Sequence, residues 1–171
     1  MIVTSRLTLV PATVALARAE IGDLDEFASL LEASVPGNWP PETTVDALPL
    51  FLGWLEAAPD RVGWFGWYAL ARIANEDSVV LIGGGGFMGP PEDGAVQIGY
   101  SVLPQFQRHG YATEMVGGLV RWALAQPGVD RIAAETEWAN PASARVLEKS
   151  GFIPTTSATD QGGARFELQG K

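Results

Sequence analysis

Cysteine is absent from this 171-residue chain, and histidine occurs once, at His109. The first absence excludes a disulfide framework, a thiolate nucleophile and a Cys-ligated metal site, and the second leaves no His cluster to hold a metal. Basic residues are scarce: 11 Lys and Arg stand against 20 Asp and Glu, for a net charge of −9. Nucleic-acid backbones are held by clustered Lys and Arg, so no nucleic acid is expected as partner. No apolar run approaches the roughly 20 residues needed to cross a bilayer, so no membrane partner is expected either. Arg6 followed by Leu7 to Ala17 outlines a signal-peptide-like stretch. Pro11 and the threonines at 8 and 13 make it a poor one, and a cytoplasmic location is the expectation.

Apolar residues make up 47% of the chain, enough for a substantial core, and no repeat or linker divides it. A single domain spanning 1–171 is therefore expected. The most informative stretch is Gln97 to Ala112, Gln-Ile-Gly-Tyr-Ser-Val-Leu-Pro-Gln-Phe-Gln-Arg-His-Gly-Tyr-Ala. Ile98, Tyr100 and Val102 alternate as a strand, and Pro104 cannot donate to a sheet ladder. Gly110 then allows a turn into a helix that starts near Ala112. Unpaired amides and the positive end of the dipole at such a helix start suit a phosphate or pyrophosphate.

Along the rest of the chain, Leu7 to Leu9 reads as a strand broken at Pro11. Leu24, Phe27, Leu30 and Leu31 give a helix beginning near Asp23. Val35 to Pro41 is a stiff loop carrying Trp39, which reads either as a pocket wall or as core. A second helix is expected from Thr44 to Ala57. Strands follow at Trp64 to Ile73 and Val79 to Met88, joined by a turn at 75–78. Four glycines, Gly83 to Gly86, interrupt the second of these. No Lys-Ser or Lys-Thr follows them, so they read as a bulge or a close backbone approach, not a nucleotide loop. Met115, Leu119, Trp122 and Ala123 share one face of the helix that ends near Ala125. Arg131 to Thr136 is a strand, Asn140 an N-cap before Pro141, and Phe152 to Thr155 with Ala164 to Leu168 a closing hairpin around 160–163.

Gln107-Arg108-His109-Gly110-Tyr111-Ala112 resembles the Gln/Arg-x-x-Gly-x-Gly/Ala signature of the GCN5-related N-acetyltransferases. The stretch Asn140-Pro-Ala-Ser143, running on to Gly151-Phe152, resembles their later Asn-x-x-Ser segment. Thr4-x-Arg6-Leu7-x-Leu9 and Ile98-Gly99-Tyr100 are similar to the RimJ/RimL-like branch, which includes protein N-terminal and small-molecule acetyltransferases. The resemblance covers essentially the whole chain. It implies an α/β (α+β) acyl-CoA N-acyltransferase fold: a mixed, mostly antiparallel sheet with two splayed central parallel strands and helices on both faces.

It further implies acetyl-CoA as donor, with no metal, and an amine of a small molecule or a protein N-terminus as acceptor. Arg108, His109, Gly110, Tyr111 and Ala112 would supply amides to the pyrophosphate, with Gln107 also in the coenzyme site. Tyr100, Ser101 and Val102 would pair with the pantetheine arm, assisted by Asn140 and Ser143. The acceptor would lie near Trp39, Phe87, Met88 and Trp138.

Many members of the family carry Glu before Ile-Gly-Tyr as a base; here the residue is Gln97, whose neutral amide cannot take a proton. Glu135 on the neighbouring strand is the substitute candidate. Ser143 would protonate or hydrogen-bond the thiolate, or else serve as a helix-start residue alone. Without Cys, and with no Ser patterned to a His, direct attack in a ternary complex is expected over an acyl-enzyme. The alternative is an acyl-CoA-binding sensor or degenerate module with little turnover. A homodimer is compatible with the sequence, though no feature points to one.

Overall fold

The computed structural model describes residues 1–73, 79–158 and 163–170. The expected turn at 75–78, and residues 160–162 of the second turn, lie outside them. Eight strands form one sheet: β1 (Ile2–Val3), β2 (Leu7–Pro11), β3 (Trp67–Arg72), β4 (Val79–Phe87), β5 (Ala95–Val102), β6 (Arg131–Thr136), β7 (Ile153–Ala158) and β8 (Ala164–Gln169). Their order is β1-β2-β3-β4-β5-β6-β8-β7, and every pairing is antiparallel except β5 with β6. The helices are α1 (Val14–Gly22), α2 (Leu24–Leu31), α3 (Glu42–Val45), α4 (Leu48–Ala57), α5 (Tyr111–Leu124) and α6 (Pro141–Lys149).

Alternation along the strands divides the core in two. Leu9, Ile82, Ile98 and Ile132 point to one face and pack with Met115, Leu119 and Leu147 of α5 and α6. Tyr68, Leu70 and Leu81 point to the other and pack with Leu16, Phe27, Leu31 and Leu55 of α1, α2 and α4. Helices therefore cover both faces, as expected.

Several local expectations are corrected. Strand β2 and the first turn of α1 occupy the stretch that resembled a signal peptide; α1 is an additional helix, whose run of Ala, Val and Leu carries too few polar residues to mark a helical period. As expected, α2 begins at Asp23, whose side chain caps it by accepting from the amides of Asp25 and Glu26. The single helix expected over 44–57 is two, α3 and α4. Pro49 cannot donate a helical bond and clashes with the carbonyl four residues back, so the chain restarts with it in the first turn of α4. The glycines do not interrupt β4, which runs through them. The irregularity in its pairing with β3 falls opposite Ala69/Leu70, and a Cβ on Gly83 would collide with the Ser101 carbonyl, so the reading as a close approach holds.

One carboxylate is buried among the described residues. Glu20, 7% exposed, accepts from Trp39 Nε1 at 2.9 Å and from Tyr68 Oη at 2.7 Å. Burial raises its pKa above the usual 4.5, against the lowering effect of those two hydrogen bonds. A raised carboxyl pKa means the fold is favoured while the group keeps its proton and loses that stability as pH climbs from 4.5 through the folded-state value. Glu20→Gln should therefore gain on the wild type as pH rises above 4.5. Denaturant titrations at several pH values read the difference; a gap that stays constant or moves the other way defeats this account.

Candidate active site

The parallel pair β5 and β6 is in register from Ala95↔Arg131 to Ile98↔Ala134 and no further. Beyond that point β5 runs on through Val102, paired only with β4. Met88 N–H donates to the Gln97 carbonyl at 3.0 Å and Leu103 N–H to the Ile82 carbonyl at 2.9 Å, so the backbone of the odd-numbered residues of β5 faces β4. By alternation the backbones of Tyr100 and Val102 face the gap beside β6. Ser101, expected among the residues lining that gap, is corrected here: its backbone belongs to the β4 ladder opposite Gly84. The Val102 carbonyl accepts from Gln107 Nε2 at 2.9 Å, which ties the end of β5 to the following loop.

That loop turns through Pro104–Phe106 as one 3-10 turn and delivers the chain to α5. Arg108 (φ 65°) and Gly110 (φ 81°) are both left-handed, and Gly110 is the N-cap with no side chain to offer. The first helical bond is Glu114 N–H to the Gly110 carbonyl at 3.1 Å. The amides of Tyr111, Ala112 and Thr113 therefore point out of the helix start with no side-chain cap, where the dipole favours an anion. His109 is exposed, its Nδ1 3.3 Å from the Phe106 carbonyl.

At the gap, two candidates meet. Tyr100 Oη donates to the Ser143 carbonyl at 3.1 Å and lies 2.9 Å from Ser143 Oγ. Burial raises the Tyr100 pKa, only partly offset by the Ser143 hydrogen bond, so the phenol keeps its proton. Asn140 caps α6 by accepting the Ser143 amide at 3.0 Å. Gln97 and Glu135 lie on the opposite face. Gln97 is paired in register with Ala133, and Glu135 follows two residues later on that same face. Glu135 is held by Arg165, whose Nη1 lies 3.4 Å from its Oε1, and Arg165 also meets Glu167 at 3.4 Å.

A cavity of about 340 Å³ opens beside Gln97, walled by Met88, Ala133, Arg131 and Arg165. Between Gln97 and the gap stands Gly99, where a side chain would meet only the Met88 methyl, at 3.6 Å. The face is thus open from the cavity to the unpaired strand edge.

Two of the expected acceptor residues belong to the core instead. Phe87 is fully buried against Trp64 and Trp122, with centroids 5.8 and 5.7 Å away, because its position on β4 points it under α5. Trp39 is 7% exposed and spends its indole N–H on Glu20. Met88 (50% exposed) and Trp138 (72%) are accessible. Sequence reasoning missed Arg165, which carries no local signal. It read Arg6 only as part of a family pattern.

A sheet opened between two parallel strands offers backbone to an extended, amide-bearing ligand, and the uncapped start of α5 offers amides to a phosphate. The chain belongs to the acetyltransferase (GNAT) domain family, whose model matches residues 6–153. It is 32% identical over 151 residues, 88% of each chain, to the uncharacterized N-acetyltransferase YjdG of Bacillus subtilis (strain 168), and it is accordingly an N-acetyltransferase. Solved structures share the fold at low identity. The microcin C7 self-immunity acetyltransferase MccE, in complex with acetyl-CoA and AMP, matches at 13% identity and TM-score 0.62, over 97% of this chain and 93% of its own. RimL, a ribosomal L7/L12 α-N-protein acetyltransferase in complex with coenzyme A, matches at 17% and 0.63, over 98% and 96%.

Proposed function

We propose that the protein transfers an acetyl group from acetyl-CoA to a primary amine, of a small molecule or a protein N-terminus, by direct attack in a ternary complex. The observation that carries this is the end of the β5–β6 ladder at Ile98↔Ala134, with β5 running on unpaired on that side into the loop that opens α5 without a side-chain cap. The residues fit the donor. Amides from Arg108 to Ala112 suit its pyrophosphate, the strand edge at Tyr100 and the Val102 amide suit an amide-bearing pantetheine, and Asn140, with Oδ1 committed to its cap, retains Nδ2 as a donor to that arm.

Bound there, the coenzyme supplies a thioester open to amine attack. The Tyr100 and Val102 amides would polarise its carbonyl. The acceptor would enter from the cavity beside Gln97, past Gly99, with Met88 on its wall. Gln97 orients the amine by hydrogen bonding, and Glu135, steadied by Arg165, takes its proton through water. On the other face the protonated pair Tyr100 and Ser143 supplies a hydrogen bond or a proton to the departing thiolate.

A thiol-release screen with acetyl-CoA and longer acyl donors against amine and peptide panels tests the reading. Turnover with at least one amine is expected, and failure to bind any coenzyme A derivative overturns it. In the same assay Gln97→Glu should raise turnover about tenfold by placing a base in line with the cavity. Tight coenzyme binding with no thiol release from any amine would instead favour a sensor.

A further inference from the structure

The turn between β1 and β2 lies against the loop assigned to the pyrophosphate. Thr4 Oγ1 accepts from the Leu7 amide at 3.1 Å and closes the turn that presents Arg6. The guanidinium then makes three contacts around the start of α5. Its Nη1 donates to the His109 carbonyl at 2.8 Å, its Nε to Glu114 Oε2 at 2.7 Å, and its plane covers the Tyr111 ring at 4.7 Å. Its Nη2 is the nearest atom to the space beside Gly110, 3.3 Å from where a Cβ would lie.

Glu114 makes this arrangement consequential. It is the acidic residue in the first turn of α5, and its side chain is only 16% exposed. Oε1 accepts from Thr4 Oγ1 at 2.6 Å and from the Arg6 amide at 2.7 Å. Burial would raise its pKa, but the hydrogen bonds from Thr4 and Arg6 and the Arg6 charge outweigh it, and the net direction is down, so the group is ionised. A carboxylate there favours the helix but repels an anion at the same helix end.

We propose that Arg6 is a positioning residue for coenzyme A: it cancels the Glu114 charge at the start of α5 and, through the His109 carbonyl, holds the loop in its left-handed turn. Thr4 assists by fixing the Glu114 carboxylate on the side of the turn. The N-terminal Thr-x-Arg segment is thereby part of the donor site, although more than 100 residues of sequence separate it from the loop. The inference rests on reading 107–112 as the pyrophosphate site.

The test compares coenzyme A with pantetheine, which lacks the pyrophosphate, by calorimetric titration. Wild type should bind coenzyme A much more tightly than pantetheine. Arg6→Ala should weaken coenzyme A about tenfold and leave pantetheine within twofold. Arg6→Ala/Glu114→Gln should recover several-fold of that loss by removing the uncompensated charge, and Arg6→Lys should fall between wild type and Arg6→Ala because it keeps the charge without the fork.

A general loss of structure would weaken both ligands equally and would not be rescued by Glu114→Gln; that outcome overturns the inference. So does unchanged coenzyme A binding by Arg6→Ala when wild type prefers coenzyme A. If wild type binds the two ligands alike, the pyrophosphate reading itself fails, and the inference with it.

Discussion

Gly110→Val is expected to bring coenzyme A binding below detection, a loss of at least about 100-fold, or close to 3 kcal/mol. Two effects combine. At φ 81° a β-branched residue is in backbone territory that costs on the order of 1–2 kcal/mol, so the loop would relax away from the conformation that aims its amides. The side chain would also stand in the space the phosphates require, with the Arg6 guanidinium close on one side, 3.3 Å from the Cβ position. The helix itself survives, since Gly110 contributes no side-chain cap. Circular dichroism and thermal melting should therefore show a folded protein while titration shows no binding. A folded variant with wild-type affinity would remove the loop from the donor site.

The largest effect on stability is expected at Gly86. A Cβ there would strike the Phe65 carbonyl oxygen and lie 2.8 Å from the Phe65 carbonyl carbon and 2.9 Å from Gly66 Cα. These are backbone atoms that cannot swing aside. Ala12 N–H binds the Gly66 carbonyl at 2.7 Å, Gly89 N–H the Trp64 carbonyl at 3.2 Å, and Trp67 Nε1 the Gly63 carbonyl at 2.8 Å, so residues 63–66 are pinned from three sides. Gly86→Ala should cost about 3 kcal/mol. That corresponds to a fall of roughly 6–12 °C in Tm for a chain of this size. A loss under about 1 kcal/mol would mean that the segment yields and that the close approach is not a constraint. The contrast with Gly99, whose Cβ position meets only a Met88 methyl at 3.6 Å, is instructive: one glycine is required by packing, the other leaves a path open to the gap.

Much of the proposed donor site was legible locally because its chemistry is local. The Gly110 turn, the start of α5 and the Asn140 cap followed by Pro141 each depend on φ preferences and hydrogen bonds within a few residues. The same holds for Asp23 and for the stop at Pro104. Legibility failed where residues are defined by what they face. Phe87 and Met88 are adjacent in sequence and were both expected at the acceptor. Alternation across the sheet sends Phe87 under α5 and leaves Met88 half exposed. Trp39 sits on a proline-rich loop suited to a lid, yet a carboxylate on α1, 19 residues earlier, draws its indole into the core. The break between α3 and α4 is legible in Pro49, which suits only the first turn of a helix.

What the sequence determined by itself was the order of most elements, the turn that exposes amides at α5, the neutral residue at Gln97 and the family pattern carried by 107–112 and 140–152. These follow from side-chain period, glycine and proline geometry and residue identity, all readable along the chain. Tertiary structure alone decided that β5 and β6 part after Ile98 and that Tyr100 meets Ser143 on one face while Gln97 and Glu135 share the other. It alone decided that Arg165 steadies Glu135 and that Arg6 closes over Glu114. Each of these depends on strand register and on contacts between distant segments, where a shift of one residue would send every side chain to the opposite face.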